Sequence, residues 1–258
     1  MSGFVLITGA SSGIGEAFAR AFAARREDLI LVARSRDKLH ALAEELRGRR
    51  GVSVEVTPAD LSRPGAAAAL ADSLAEKHLE VETLVNNAGF GARGRFWELP
   101  FERQQEMFHL NVLAVIELTH RLVGPMIAKR RGAVINLSST AAFQPLAYTT
   151  LYAATKSLVT SFSMALAEEV RPYGLRVVTL CPGGTRTNFF QASQYGTRDF
   201  KIPGGMQSPH EVVEAALTKL DRGGGLVICG WFNRVSVFSQ RLAPRALVAR
   251  LAARVFKV

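Results

Sequence analysis

The sequence predicts an α/β fold, a single doubly wound parallel sheet of about seven strands with helices on both faces. Three observations carry this reading. Aliphatic strand-like runs alternate with helix-like runs along the whole chain. One of them, Leu29-Ile30-Leu31-Val32-Ala33, is aliphatic without a break, as a strand buried on both faces should be. Turn signals close the strand-like runs, among them Gly9, Asn86-Asn87-Ala88-Gly89 and Pro182-Gly183. Strands that alternate with helices imply right-handed crossovers and parallel pairing, with ligands bound outside the carboxyl ends of the strands.

In chain order, residues 4–8 are an apolar run that stops at Gly9, and 14–24 has the helical spacing of small and apolar residues. After the 29–33 strand, Leu39, Leu42, Ala43 and Leu46 share one helical face within 36–49, with Ser35 placed to cap it. Residues 52–57 alternate like a strand, and 66–76 form an alanine-rich helix. Strands at 83–86 and 133–137 flank a long helical stretch, about 101–129, which Pro125 should bend or interrupt. Residues 152–170 read as a helix free of Gly and Pro, and 176–181 as a strand stopped by Pro182-Gly183. Ser208-Pro209 opens a further helix, Ser as cap and Pro at its first position, and 226–229 is the last strand. With no repeat, low-complexity segment or linker, the chain is expected to be one domain, 1–258. Within it lies a basic amphipathic segment at about 240–258.

Composition excludes several classes. At 258 residues, 48% apolar and 21% charged, the chain is neither disordered nor fibrous. No apolar run approaches the ~20 residues that span a bilayer, and the N-terminus lacks the basic start of a secretory signal. Cys181 and Cys229 sit in apolar runs and match no metal spacing. They read as buried free thiols of a reducing, cytoplasmic compartment, with no metal site. The net charge is +10, and residues 222–258 hold seven Lys or Arg and no Asp or Glu. The remainder, with 25 basic and 22 acidic residues, is nearly balanced, which argues against a nucleic-acid-binding surface.

The chemistry gathers at strand ends. Thr8-Gly9-Ala10-Ser11-Ser12-Gly13-Ile14-Gly15 joins the first strand to the first helix. Glycines there let the backbone approach a phosphate, and the helix start offers N–H donors to it. The spacing lacks the lysine of a P-loop, which disfavours NTP hydrolysis. At the second strand end, where an acid usually meets the ribose hydroxyls of NAD, stands Ala33-Arg34-Ser35-Arg36. Arginine is a forked cation that matches a 2′-phosphate, so NADP(H) is expected. Tyr152 and Lys156 lie one helical turn apart, and an ammonium near a phenol should lower its pKa and make Tyr152 a proton donor or acceptor near neutral pH. Ser139 lies thirteen residues earlier, at a strand end, where its hydroxyl can bind the same substrate oxygen. Asn111, in the long helix, is placed to hold a water that links Lys156 to solvent.

Taken together these residues resemble the short-chain dehydrogenase/reductase family of NADP(H)-preferring type, over nearly the whole chain. The motifs stand in the family's order: TGxxxGIG at 8–15, Asp60, NNAG at 86–89, Asn111, Ser139, YxxxK at Tyr152 and Lys156, and PGxxxT at 182–187. The resemblance implies a Rossmann fold, an NADP(H)-dependent carbonyl/alcohol oxidoreductase and a homodimer or homotetramer built partly on the Tyr152 helix. Its catalytic set would be Asn111, Ser139, Tyr152 and Lys156. Cofactor contacts would come from Gly9, Ser11, Ser12, Gly13, Ile14, Gly15, Arg34, Asp60, Leu61, Asn87, Ala88, Gly89, Tyr152, Lys156, Pro182, Gly183, Thr185 and Thr187. Thr185 departs from the β-branched aliphatic residue that many members carry, at a contact made largely by backbone. The competing expectation is a cofactor-binding regulatory or membrane-associated protein with little turnover.

The resemblance makes about 188–207 the substrate-loop region. Phe189, Phe190, Tyr195, Phe200 and Met206 there, and Phe90, Phe96, Trp97 and Phe143 on the other side, suit a small-molecule substrate with an apolar body and one carbonyl. Arg186 is the one arginine placed near them to clamp an acid. In the tail, Leu247, Val248, Leu251, Ala252 and Val255 fall on one helical face, with Arg250, Arg254 and Lys257 opposite. The ordinary expectation is a helix packed on protein; the sharper one is peripheral contact with an anionic membrane.

Overall fold

The computed structural model describes residues 3–187, 189 and 205–256. Seven parallel strands stand in the order β3-β2-β1-β4-β5-β6-β7. They are β1 (Phe4–Thr8), β2 (Leu29–Ala33), β3 (Val54–Pro58), β4 (Val81–Asn86), β5 (Ala133–Leu137), β6 (Arg176–Cys181) and β7 (Gly225–Ile228). The connecting helices are α1 (Gly13–Ala24), α2 (Arg36–Arg50), α3 (Ala66–Glu76), α4 (Phe101–Phe108), α5 (Ala114–Ala128), α6 (Thr150–Val170) and α7 (Pro209–Asp221). Two more, α8 (Trp231–Ser239) and α9 (Arg245–Phe256), follow the last strand. Strand order reverses between β1 and β4, where a doubly wound sheet opens its crevice.

Alternation of side chains builds two core layers. Val5, Ile7, Leu29 and Leu31 point to the layer formed with Phe18, Phe22, Leu39 and Val213 of α1, α2 and α7. Leu6, Ile30, Val32 and Leu84 point to the other, against Leu70, Leu118, Met126 and Leu166 of α3, α5 and α6. The period of two is what a strand between two helical layers requires. At α7 the sequence reading holds in detail: the Ser208 hydroxyl accepts from the Glu211 N–H while Glu211 accepts from the Ser208 N–H, with Pro209 at the first position.

Two local expectations change. The stretch 101–128 is interrupted not at Pro125, which lies inside α5, but at a π turn, His109–Leu113. That turn carries the fully buried Asn111. By length and mean hydropathy 101–128 also qualifies as a candidate membrane span. Here it seats Leu118 and Met126 in the core, as a packed helix does. Helix α8 was not expected, since no cap or break marks its start beyond Gly230.

A buried polar chain ties the middle of the sheet to its helices. Asn86 Nδ2 donates to Asn136 Oδ1 (2.9 Å) and Thr119 Oγ1 (3.1 Å), and Asn136 Nδ2 donates to Ser163 Oγ (2.8 Å). All four residues are buried. Replacing Asn136 with leucine leaves an Asn86 N–H and the Ser163 oxygen without this partner. Asn136→Leu should therefore lower the urea-denaturation free energy by about 2 kcal/mol; an unchanged midpoint would show that the chain adds nothing to stability.

Candidate active site

The ends of β1 and β4 are locked to each other. Asn87 Nδ2 donates to Thr8 O (2.8 Å), and the Thr8 hydroxyl accepts from the Asn87 and Ala88 N–H groups (3.0 Å each). The glycine turn between β1 and α1 folds tightly over this lock. Gly9 sits at φ +67°, and a Cβ on Gly15 would lie 2.2 Å from the Gly9 carbonyl oxygen. Only glycine fits both demands. Ser12, at the N-cap of α1, makes no side-chain cap bond, so the cap leaves the first-turn N–H donors open for an anion.

From this turn a cavity of about 710 Å³ runs across the strand ends. Its lining includes Gly9, Ser11, Ser12, Gly13, Ile14, Arg34, Asp60, Leu61, Asn87, Ala88, Gly89, Ser139, Tyr152, Lys156, Pro182, Gly183, Thr185 and Thr187. Of the expected site residues, Gly15 and Asn111 do not line it. Gly15 packs beneath the turn. The Asn111 side chain is bonded within the protein: its Nδ2 donates to Phe90 O (2.9 Å) and Thr155 Oγ1 (3.3 Å), and its Oδ1 accepts from Phe90 N (3.2 Å). Asp60 accepts from the Ser62 N–H and hydroxyl (3.1 and 2.7 Å). Partial burial pushes its carboxyl up, but those bonds and the charges of Arg34 and Arg63 hold it below the usual range.

Arg34 reaches the cavity as an exposed residue. Ser35 was read only as a cap. It makes no cap bond and lines the cavity beside Arg34, so a hydroxyl and a guanidinium stand together at the start of α2. These donors, with the open N–H groups of α1, fit a phosphate-bearing dinucleotide.

Helix α6 presents Tyr152 and Lys156 to the same space, both buried. Lys156 Nζ donates to Leu137 O (2.8 Å) and lies 5.9 Å from the Tyr152 ring centre. Burial pushes the Tyr152 phenol up to about 12, against the opposing hydrogen bond with Ser139. Burial also pulls the Lys156 ammonium down to about 8. The lowering of the phenol expected from Lys156 is not seen: burial dominates, and the Lys156 ammonium is held on the Leu137 carbonyl. The two adjacent serines separate by geometry. Ser138 Oγ is spent on α6, at Lys156 O (2.8 Å) and Thr160 Oγ1 (2.6 Å), whereas Ser139 caps a short turn on the Tyr152 side.

The apolar end of the cavity differs from expectation. Phe90 and Phe189 line it, with Phe189 5.6 Å from the Tyr152 ring, whereas Phe96, Trp97, Phe143 and Met206 do not. Phe190, Tyr195, Phe200 and Lys257 lie outside the described residues. Arg186 does not line the cavity; its Nη1 donates to Met206 O (2.8 Å). The sequence reading missed Arg103, stacked 3.7 Å over the Phe90 ring, and Gln144, Phe232, Asn233 and Gln240 in the lining. Gln240 Oε1 is buried without a hydrogen-bond partner among the described residues. No spacing motif marks these positions; tertiary folding brings them in.

Residues 3–197 match the family model of the short chain dehydrogenases. The chain is 35% identical over 191 residues to serine 3-dehydrogenase of Agrobacterium fabrum, covering 73% of this chain and 74% of that protein. It is 31% identical over 241 residues to 7beta-hydroxysteroid dehydrogenase of Collinsella aerofaciens, covering 90% and 88%. Among solved structures, a short-chain dehydrogenase from Sphingobium yanoikuyae in complex with NADPH superposes with a TM-score of 0.83 at 34% identity, covering 93% and 94%.

The buried lysine has a pH signature. Its pKa falls from 10.5 in the unfolded chain to about 8 here, so between those values the unfolded state holds the extra proton. Across that window this group should add stability as pH rises, on the order of 3 kcal/mol, while the Cys181 and Cys229 thiols, pushed up by burial to about 11 and about 12, remove stability above pH 9. Urea titrations at intervals from pH 7 to pH 10 should therefore show wild type gaining stability relative to Lys156→Met as pH rises above 8. Parallel profiles would mean that Lys156 is not desolvated.

Proposed function

Because the chain belongs to the short-chain dehydrogenase/reductase family, we propose that it is an NADP(H)-dependent oxidoreductase that interconverts a ketone or aldehyde with its alcohol on an apolar substrate. The observation that carries the reading is the convergence of Ser139, Tyr152 and Lys156 at one end of a cavity whose other end is a phosphate cradle. When bound, the nicotinamide supplies or accepts the hydride. The chain's own residues handle the proton and the geometry. Tyr152, held protonated by burial, carries at Oη the proton that a carbonyl oxygen takes up on reduction. Ser139 positions that oxygen beside it. Lys156 brings a positive charge to the Tyr152 side of the cavity, its Nζ 5.9 Å from the ring centre, and Asn111 in the π turn holds the Phe90 backbone.

NADP(H) rather than NAD(H) is supported by Arg34 and Ser35 at the start of α2, and by the absence of an acid at 33–36. The NADPH complex of the Sphingobium yanoikuyae relative agrees with this choice. An apolar substrate body is supported by Phe90, Leu146, Phe189, Phe232 and Val248, and a second polar group on it by Gln240. We read the chain as one domain, with Cys181 and Cys229 as free buried thiols suited to the cytoplasm. Exposed Phe101, Leu113, Leu158 and Met164 on and beside α6 suit a homo-oligomer. Among the described residues nothing favours the loss of turnover that the regulatory or membrane-associated alternative requires.

Two experiments check this reading. Tyr152→Phe keeps the ring and removes the proton, so turnover of a ketone and aldehyde panel should fall ~10²–10⁴-fold while NADPH binding persists. Activity near wild type would remove Tyr152 from the reaction. Wild type should also favour NADPH over NADH in kcat/KM, and Arg34→Asp should invert that order by repelling the phosphate. Equal use of both cofactors by wild type would refute the Arg34 assignment.

A further inference from the structure

We propose that α8 and α9 form a face that docks on an anionic lipid surface and admits a lipid-dissolved carbonyl or alcohol to the cavity. The substrate part of this proposal rests on the oxidoreductase reading; the docking part stands on the surface itself.

Helix α8 has two unlike sides. Asn233, Ser236 and Val237 face the cavity. Trp231, Val235 and Phe238, spaced on one helical face, are 75%, 56% and 62% exposed. Helix α9 repeats the arrangement. Ala252 is buried in the cluster that holds Tyr152, while Leu247, Leu251 and Val255 form an exposed stripe. Leu251 and Val255 belong to both sets: they line the cavity and are 50% and 52% exposed. The cavity therefore opens through the apolar stripe and not beside it. An apolar substrate that enters there need never leave an apolar environment.

The charge names the occupant. At about 100° per residue, Arg250 and Arg254 stand next to the Leu247–Leu251–Val255 stripe rather than across from it, and Arg234 stands next to the Trp231 face. Residues 222–258 carry seven basic and no acidic residues, so nothing within the segment neutralises them. A second copy meeting this face would set one basic cluster against another. An anionic headgroup layer complements it, with Trp231 suited to the interface. At 12 residues, α9 is about 18 Å long, too short to span a ~30 Å core, so it would lie on the bilayer.

The test uses the full chain and vesicles of phosphatidylcholine with or without phosphatidylglycerol. Wild type should co-sediment only with the anionic vesicles, and less as salt rises toward physiological strength. Arg250→Gln with Arg254→Gln should weaken binding roughly 30-fold, about a factor of five per arginine. Trp231→Ser with Phe238→Ser should also weaken it, and neither pair lines the cavity. With a short water-soluble ketone, both double variants should match wild type. With a long-chain ketone dissolved in anionic vesicles, both should lose at least tenfold. Three results overturn the proposal: folded wild type that ignores anionic vesicles, variants that handle both ketones as wild type does, or a dimer that Trp231→Ser with Phe238→Ser dissociates. If wild type binds vesicles but turns over neither ketone, the docking face stands and the oxidoreductase reading fails.

Discussion

The hydrogen bonds between Thr8 and the Asn87–Ala88 backbone and side chain are the constraint on which the site depends. Two parallel strands that end side by side leave carbonyl and N–H groups with no ladder partner, and buried groups of that kind are costly. Here the Thr8 hydroxyl and the Asn87 amide satisfy them across β1 and β4 at the reversal of strand order. One consequence is geometric. With the strand ends fixed, the glycine turn has a single path from β1 into α1, and Gly15 must lie against Gly9. The other is extension along the sheet. Asn86, the next residue back, begins the polar chain through Asn136 to Ser163 of α6, the helix that carries Tyr152 and Lys156. The phosphate cradle and the proton-handling pair are thus parts of one hydrogen-bonded frame.

That frame creates an electrostatic tension. A phenol and an ammonium are both taken out of water, and burial moves the two in opposite directions, each toward its neutral form. Pairing alone would have favoured the charged forms. The balance goes to burial because Lys156 has a backbone carbonyl, Leu137 O, as its hydrogen-bond partner rather than the Tyr152 oxygen. Burial thus leaves the two groups unlike: the phenol keeps its proton well above neutral pH, and the ammonium is drawn down toward it.

The local parts of the frame were legible in the sequence, a glycine turn, an asparagine pair and a helix with Tyr and Lys one turn apart, but the bonds that join them through Asn136 and Ser163 were not, because they link distant segments. The strands were equally legible, since a strand buried on both faces needs an unbroken aliphatic run such as 29–33. The π turn at His109–Leu113 was not, because no residue type announces an i→i+5 turn, and Pro125 drew attention to the wrong place. Asn111 shows the difference: expected in a regular helix, it lies in this turn, fully buried, with its side chain on Phe90 and Thr155. Ser35 shows it again, because a cap position and a cavity position share one sequence signature. The far wall of the cavity, with Arg103, Gln144 and Gln240, depends on contacts between distant segments that no spacing encodes.

The last two helices follow from the same logic of partners. An amphipathic helix is explained when its apolar side has found something apolar, and α9 satisfies only part of that side, through Ala252 and Val248. The rest, with the outward side of α8, is left in water beside arginines for which the segment 222–258 holds no acidic partner. Nothing in the sheet requires these helices, since β7 is already paired on its inner edge with β6. What they add is the distal wall of the cavity, from Phe232 to Val255. A segment that both completes a substrate cavity and keeps an apolar, basic exterior joins two requirements in one element: the inside selects what enters, and the outside selects the medium from which it comes.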